Sequence, residues 1–130
     1  MENDISLEAV VTSTCSVLRV SGDIDCETSP ELRAAVLSFF RGSTEGKMVL
    51  DLSRVGRFDS SGAASLLECW QEARHRSGRL ILSGLTASAR RVLDLARLRA
   101  VFETARSVTD ALVALKDQRI VGSPSFSFNP

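Results

Sequence analysis

One stretch of the sequence, residues 48–70, constrains the fold more than any other. It begins with the short apolar run 49–52, which is typical of a strand buried on both faces of a sheet. The polar turn 59–62, Asp-Ser-Ser-Gly, follows, and apolar residues then recur at helical spacing, at positions 63, 66, 67, 70 and 73. The stretch therefore predicts a strand, a tight turn with two serine hydroxyls, and a helix that packs back on the sheet.

The two hydroxyls of this turn lie at the predicted N-terminus of the helix. The first backbone N–H groups there, near Gly62, have no partners within the helix. Such an end attracts anions, phosphate included, because the free N–H groups and the helix dipole both favour negative charge. A simpler interpretation is that Ser60 or Ser61 is only the N-cap of the helix, worth about 1 kcal/mol. Choosing between an anion-binding role and a simple capping role requires evidence from the rest of the chain.

The first part of the chain predicts a strand pair followed by a helix. Residues 5–12 and 16–21 favour two strands joined by a turn at 13–14, so the pair is expected to be antiparallel. An acidic loop at 22–28 leads to a helix with Ser29 as its predicted N-cap, followed by a proline at the first position and an acid in the first turn.

The second half continues this alternation of strands and helices. It predicts strands at 80–82 and 101–102, a helix at about 87–95, and a last helix from 108. The order ββαβαβαβα indicates an α/β fold: one domain with a small mixed sheet of four to five strands, the first pair antiparallel, backed by about four helices. We expect this domain to span residues 1–118 and residues 119–130 to form a flexible tail.

Charge and composition exclude several classes of function. Lys and Arg number 16, as do Asp and Glu, so no basic field is available to bind nucleic acid. No apolar run reaches the roughly 18 residues of a membrane span, and the N-terminus lacks a signal-peptide pattern. Cys15, Cys26 and Cys69 form no CxxC pair, which is typical of free thiols in a reducing cytosol. We expect a cytoplasmic protein that binds neither nucleic acid nor membrane.

The groups needed for enzyme chemistry do not come together in the sequence. The single histidine, His75, lies about four helical turns, roughly 20 Å, from Ser60, which is too far for a Ser-His-Asp arrangement. The patterns GxSxG, GxxxxGK[ST] and GxGxxG are absent, so the chain has no recognisable nucleotide cradle. We therefore predict that the protein is not an enzyme and needs no cofactor.

Four carboxylates offer one possible metal site. They could meet at one edge of the sheet as a divalent-metal or phospho-aspartate centre, like that of a receiver domain: Asp23, Asp25, Asp51 and Asp59. A receiver domain begins with a parallel βαβ unit, however, whereas this chain opens with a predicted hairpin. We therefore predict no metal site.

Three short segments carry a recognisable order and spacing. The first, SGDID at 21–25, precedes a helix start; the second combines VLDLS at 49–53 with FDSSG at 58–62; the third joins VFE at 101–103 to SVTDAL at 107–112. Together they resemble the STAS domain family, and more narrowly the stand-alone anti-sigma factor antagonists of bacteria. The resemblance spans about residues 5–116.

This resemblance implies a function and a site. In the family, an anti-sigma factor that is also a serine kinase holds a sigma factor inactive, and the unphosphorylated antagonist binds this kinase and frees the sigma factor. Phosphorylation of the first serine in the D-S-[S/T]-G turn abolishes binding, and a PP2C-type phosphatase restores it. By position, the phosphorylated serine is Ser60. The partner-binding surface then comprises Asp25, Asp59, Ser60, Ser61, Gly62 and Ala63.

Phosphorylation at a helix start predicts a change of surface rather than unfolding. The new charge is expected to face Asp25 and Asp59, and so to make the patch strongly negative. Many family members carry Leu and Gly after the motif, whereas this chain has Ala63 and Ala64. This difference suggests that the kinase-facing start of the helix fits a different partner. We expect a monomer or weak dimer.

The main alternative is a scaffold or accessory STAS domain in a stressosome, a transporter or a lipid-transport complex. In that role the fold mediates assembly without a partner switch. The presence of a serine at position 60 favours the switch.

Overall fold

The computed structural model describes residues 4–11 and 15–116, in which strands and helices alternate around one five-stranded sheet. The elements are β1 (Ile5–Val11), β2 (Ser16–Ile24), α1 (Ser29–Arg41), β3 (Lys47–Phe58), α2 (Ser60–His75), β4 (Arg79–Ser83), α3 (Ala87–Leu95), β5 (Glu103–Ala105) and α4 (Val108–Lys116). This order confirms the predicted α/β class and the four helices. The predicted turn at 13–14 and the predicted tail at 119–130 lie outside the described residues.

The sheet is mixed, as predicted. Its strands follow chain order, β1-β2-β3-β4-β5. β1 pairs antiparallel with β2, and the pairs β2/β3, β3/β4 and β4/β5 are parallel. The helices that connect the parallel strands cover one face and α4 covers the other, so the central strands are buried on both sides.

Successive residues of the central strands face two different cores, because side chains alternate along a strand. Leu50 and Leu82 belong to the larger core, which α1, α2 and α3 complete with Leu32, Leu66 and Leu93. Their neighbours belong to a smaller core on the opposite face, where α4 packs: Val17, Val49, Ile81, Ala111 and Leu115. Within the described ranges, every helix is too short or too polar to cross a membrane.

The strands are longer than the sequence predicted. β2 continues to Ile24 through residues assigned to the acidic loop, because Ile24 is fully buried and pairs with Phe58. β3 was predicted at 49–52 but runs to Phe58. Its second half is buried only at Val55 and Phe58, so the polar residues between them gave no strand signal.

The start of α1 and the position of the last strand also differ slightly from the prediction. α1 has Thr28 as its N-cap, one residue before the predicted Ser29, which is instead the first helical residue. The last strand covers Glu103–Ala105 and not 101–102. Phe102 is buried in the larger core, so its apolar character reflects packing beside the sheet rather than strand pairing.

Candidate functional site

The Asp-Ser-Ser-Gly turn lies at the edge of the sheet where the parallel strands end. Chain segments that follow parallel strands meet at this edge. The end of β2, the end of β3 and the start of α3 line one open cleft there, with a volume of about 410 Å³. Its lining residues are Ile24, Asp25, Arg57, Phe58, Asp59 and Ser88. Two of the predicted site residues, Asp25 and Asp59, therefore share this cleft.

Asp59 caps α2, so the prediction that Ser60 or Ser61 is the N-cap was wrong. Its Oδ1 accepts hydrogen bonds from the Ser61 N–H at 2.9 Å and, less closely, from the Gly62 N–H at 3.4 Å. Aspartate is as good an N-cap as serine, and its charge also suits the positive end of the helix dipole. The helix start that was expected to attract an anion already contains a carboxylate.

Ser60 is the first residue of α2, and its side chain is exposed. Within the described part of the chain, the Ser60 hydroxyl makes no hydrogen bond to the protein. The backbone beneath it is fixed, because the Asp59 N–H donates to the Ile24 carbonyl at 3.2 Å and so joins α2 to the end of β2. An accessible hydroxyl thus sits on a rigid support.

Gly62 and Ala63 lie beneath this surface rather than on it, since both are buried. A Cβ atom on Gly62 would stand 2.7 Å from Phe58 Cε1 and 2.8 Å from Ile24 Cγ2. The glycine of the motif therefore allows the first turn of α2 to approach the sheet closely. Ser61 is half-buried, and Ala64 is the next exposed residue of the helix after Ser60.

Asp25 is half-buried, and its carboxylate is turned towards its own loop. Its Oδ1 accepts hydrogen bonds from the N–H groups of Glu27 at 2.9 Å and Thr28 at 3.1 Å. These bonds, that from Glu27 first, lower the pKa of Asp25. The buried Thr28 hydroxyl accepts from the Asp25 N–H and donates to the Asp23 carbonyl, both within 2.9 Å, so the loop is tightly held.

Arg57 lies in the cleft beside the acidic residues, and the sequence gave no indication of it. Its backbone N–H donates to Asp23 Oδ1 at 2.8 Å, and its Nε lies 3.4 Å from Asp23 Oδ2. A Cβ atom on Gly56 would collide with the Asp23 carboxylate, so the glycine makes room for this contact. The patch that phosphorylation was expected to make strongly negative therefore also contains a cation.

Ser88, in the first turn of α3, is the other cleft residue that sequence reasoning missed. No local motif marks either Ser88 or Arg57. The parallel topology was the available signal, because it places the start of α3 at the same edge as the start of α2.

The four carboxylates considered as a metal site do not form one. Asp51 accepts hydrogen bonds from the backbone N–H and the hydroxyl of Ser53. Asp25 and Asp59 accept from backbone N–H groups close to them in sequence, and Asp23 accepts from the Arg57 N–H on β3. Among residues 4–11 and 15–116, no group of three Asp, Glu, His or Cys side chains is placed to hold a metal ion. His75 is the exposed last residue of α2, at the opposite end of that helix from Ser60.

Comparison with known proteins identifies both the fold and a recurrent role. The family model described as STAS domain matches residues 6–111. An anti-sigma factor antagonist from Mycobacterium paratuberculosis aligns with a TM-score of 0.79 and 27% identity, over 90% of this chain and 98% of that one. The alignment thus spans nearly the whole described domain.

Two more distant solved structures share the fold. The cell fate determinant SpoIIAA from Bacillus, in its phosphorylated form, aligns with a TM-score of 0.64 and 24% identity, over 86% of this chain and 99% of that one. A sulfate transporter family protein from Wolinella succinogenes aligns with a TM-score of 0.66 and 18% identity, over 82% of this chain and 88% of that one. At these identities the likeness establishes architecture alone.

Proposed function

We propose that this chain, which belongs to the STAS domain family, is an anti-sigma factor antagonist that is switched by phosphorylation of Ser60. Unphosphorylated, it binds an anti-sigma serine kinase and so releases the sigma factor; phosphorylated, it does not bind. The observation that carries the proposal is the Ser60 hydroxyl, exposed and without a capping role at the start of a rigid helix. The identity of 27% to an antagonist from Mycobacterium paratuberculosis supports it.

The covalent step is transfer of the γ-phosphoryl group of ATP, held by the kinase, to Ser60 Oγ. A bond forms between Oγ and phosphorus, the bond to the leaving ADP breaks, and the hydroxyl proton passes to a base on the kinase. A PP2C-type phosphatase reverses the step by hydrolysis, which restores the hydroxyl and releases inorganic phosphate. Because Asp59 and not Ser60 caps α2, phosphorylation removes no capping bond, and the fold is expected to persist.

The switch works through charge at the docking surface. A phosphate adds roughly −1.5 to −2 charges, and Asp59 already places a carboxylate one residue away. A kinase surface that fits a neutral hydroxyl beside this carboxylate then meets like charge and desolvated groups. Such a juxtaposition can cost several kcal/mol, which is enough to abolish binding.

The proposed contact surface includes the accessible members of the predicted site. Ser60 is exposed, and Asp25 and Ser61 are half-buried. Gly62 and Ala63 act from below, because they set the position of the helix start. Ala64 is exposed four residues after Ser60, on the same side of α2, and extends this surface along the helix.

The test compares four forms of the full-length chain as immobilised baits: wild type, Ser60→Ala, Ser60→Glu and Thr109→Glu. Thr109 is exposed in the first turn of α4, on the opposite side of the sheet, so it controls for an added charge at a helix start. We expect an anti-sigma serine kinase to be retained by all forms except Ser60→Glu. Binding would then be quantified with the purified kinase by calorimetry.

Equal binding of that kinase to Ser60→Glu and to wild type would refute the switch. Recovery of the same transporter, stressosome or lipid-transport assembly by all four baits would instead support the scaffold role. The fold alone does not separate the two roles, since a sulfate transporter family protein shares it.

A further inference from the structure

We propose that Arg57 receives the Ser60 phosphate within the same molecule, by exchanging its ion pair with Asp23 for one with the phosphate. This inference rests on the phosphorylation of Ser60 proposed above. It identifies a specific contact that would hold the modified side chain against the cleft.

The start of α2 does not offer the phosphate a vacant set of N–H groups. The Ser61 N–H donates to the Asp59 carboxylate, and the N–H groups of Gly62 and Ala63 donate to the Asp59 carbonyl at 3.0 and 3.2 Å. A phosphate on Ser60 would have to displace a carboxylate of like charge to bind there. The cation that the cleft supplies is a more favourable receptor.

Arg57 is placed to reach the phosphate. It lines the same cleft as Asp25 and Asp59, and it precedes Ser60 by three residues, a backbone span of at most about 11 Å. The arginine side chain and the phosphoserine side chain can both extend across this span from either end. The pKa of Asp25 is lowered first by the hydrogen bond from the Glu27 N–H and last by the charge of Arg57, so Arg57 lies near enough to favour a negative charge at this cleft.

The present partner of Arg57 is easily exchanged. The Arg57 side chain is 79% exposed and the Asp23 side chain 37% exposed, and ion pairs at such exposed positions are weak. Asp23 would keep the hydrogen bond from the Arg57 backbone N–H at 2.8 Å after the guanidinium moves away. A phosphate dianion can bind the guanidinium in bidentate fashion, which is a stronger interaction than the single contact with Asp23.

The exchange would change the cleft in two ways at once. It draws the phosphate towards Asp25 and Asp59 rather than leaving it extended in solvent, and it removes Arg57 from the surface that a partner meets. The docking face then gains the charge of the phosphate, and the guanidinium of Arg57, now engaged with the phosphate, is no longer offered to a partner. Arg57 thereby increases the difference between the two states of the protein.

The test uses full-length protein with phosphoserine installed at position 60 during synthesis by genetic code expansion, so that no kinase is needed. The second pKa of the phosphate, about 6 when unperturbed, is measured by ³¹P NMR in wild type, Arg57→Gln, Arg57→Lys and Arg54→Gln. Arg54 is a matched control, because it is exposed on β3 but does not line the cleft.

We expect Arg57→Gln to raise the phosphate pKa by about half a unit or more, because it removes the nearby cation that favours the dianion. Arg57→Lys should fall between wild type and Arg57→Gln, and Arg54→Gln should match wild type. All variants keep the same carboxylates around the cleft, namely Asp23, Asp25 and Asp59. From α3, the lining of the cleft includes only the uncharged Ser88. Differences among the variants therefore report on the arginine.

Equal phosphate pKa values in Arg57→Gln and Arg54→Gln would overturn the proposal. A second measurement needs no variant: the Arg57 Nε–H resonance should shift between the unmodified and phosphoserine proteins, and an unchanged resonance would also overturn it. Neither readout depends on a kinase. A failure of the bait experiment and a failure of this one are therefore distinguishable.

Discussion

Replacement of Gly62 by alanine tests the close approach of α2 to the sheet, on which the position of Ser60 depends. At an open helical site, Gly→Ala stabilises a protein by about 1 kcal/mol, because alanine has the higher helix propensity. Here the new methyl group would stand 2.7 Å from Phe58 Cε1 and 2.8 Å from Ile24 Cγ2. The two effects oppose each other, and their sizes decide the sign.

The steric effect should prevail. Carbon atoms pack best at about 3.5–4.0 Å, so both contacts are roughly 1 Å too short. Ile24 is 0% and Phe58 4% exposed, so neither side chain can move into solvent. Overpacking of a filled core typically costs about 1–3 kcal/mol, and two simultaneous contacts place Gly62→Ala in the upper part of that range. We expect a net loss of about 1–2 kcal/mol in the free energy of unfolding.

The free energy of unfolding can be measured by urea titration with the fluorescence of the single tryptophan. Trp70 is half-buried on α2, with its ring edge-to-face to Phe102 at 6.5 Å, so its emission should report loss of this packing. Ala64→Gly is the matched control, because Ala64 is exposed two residues along the same helix. It should lose about 1 kcal/mol through propensity alone.

The sign of the Gly62→Ala effect is the decisive result. A variant about 1 kcal/mol more stable than wild type would show that the helix start has room for a side chain, since propensity alone predicts that gain. The steric account of Gly62, and with it the rigid placement of Ser60, would then be refuted. A loss of stability would support the steric account of Gly62 and the rigid placement of Ser60.

Three further predictions follow from the same region and its core. Asp59→Ala should lower the free energy of unfolding by about 1 kcal/mol by urea titration, and Asp59→Asn, which keeps a capping oxygen, by much less. Because hydrogen bonds lower the pKa of Asp25 below its ordinary 3.8, its charge stabilises the fold above that pH, and this contribution is lost as the pH falls through the lower folded value. The stability difference between wild type and Asp25→Asn should therefore narrow below about pH 4. Burial raises the pKa of the Cys69 thiol to about 12, so at pH 8 Ellman's reagent should react rapidly with the exposed Cys26 and with Cys69 only after unfolding.

Each of these predictions has an outcome that contradicts it. Unchanged stability of Asp59→Ala would exclude its capping role. If the difference in the free energy of unfolding between wild type and Asp25→Asn stays constant from pH 7 to acid pH, the loop does not favour the charged form of Asp25. Rapid labelling of a Cys26→Ser variant in its native state would show that a core thiol is accessible.

The helices were largely predictable from the sequence, because their apolar spacing and caps are local signals. α3 begins at Ala87 and ends at Leu95, as predicted: Thr86 caps the Ala89 N–H, and Ala89 and Leu93 face the core. Strand lengths were less predictable. The second half of β3 is exposed at every position except Val55 and Phe58, and only its pairing with β2 makes it a strand.

The sequence singled out the Asp-Ser-Ser-Gly turn, but not which of its residues caps α2. The Asp-Ser-Ser-Gly turn contains three good N-caps, and local sequence does not choose among them. The tertiary hydrogen bond from the Asp59 N–H to the Ile24 carbonyl fixes Asp59 in extended conformation, and so makes it the cap. Arg57 and Ser88 reach the cleft through strand order alone, which no local pattern encodes.

The side-chain cap on α2 gives the protein an internal reporter of the proposed switch. The Ser61 amide donates to the Asp59 carboxylate at 2.9 Å, whereas the Gly62 and Ala63 amides donate to the Asp59 backbone carbonyl at 3.0 and 3.2 Å. Hydrogen exchange at Ser61 should therefore follow the rotamer of one carboxylate rather than unfolding of the helix. Because that amide lies next to the serine proposed to carry phosphate, its exchange rate would record rearrangement at the modified residue in the intact, folded protein.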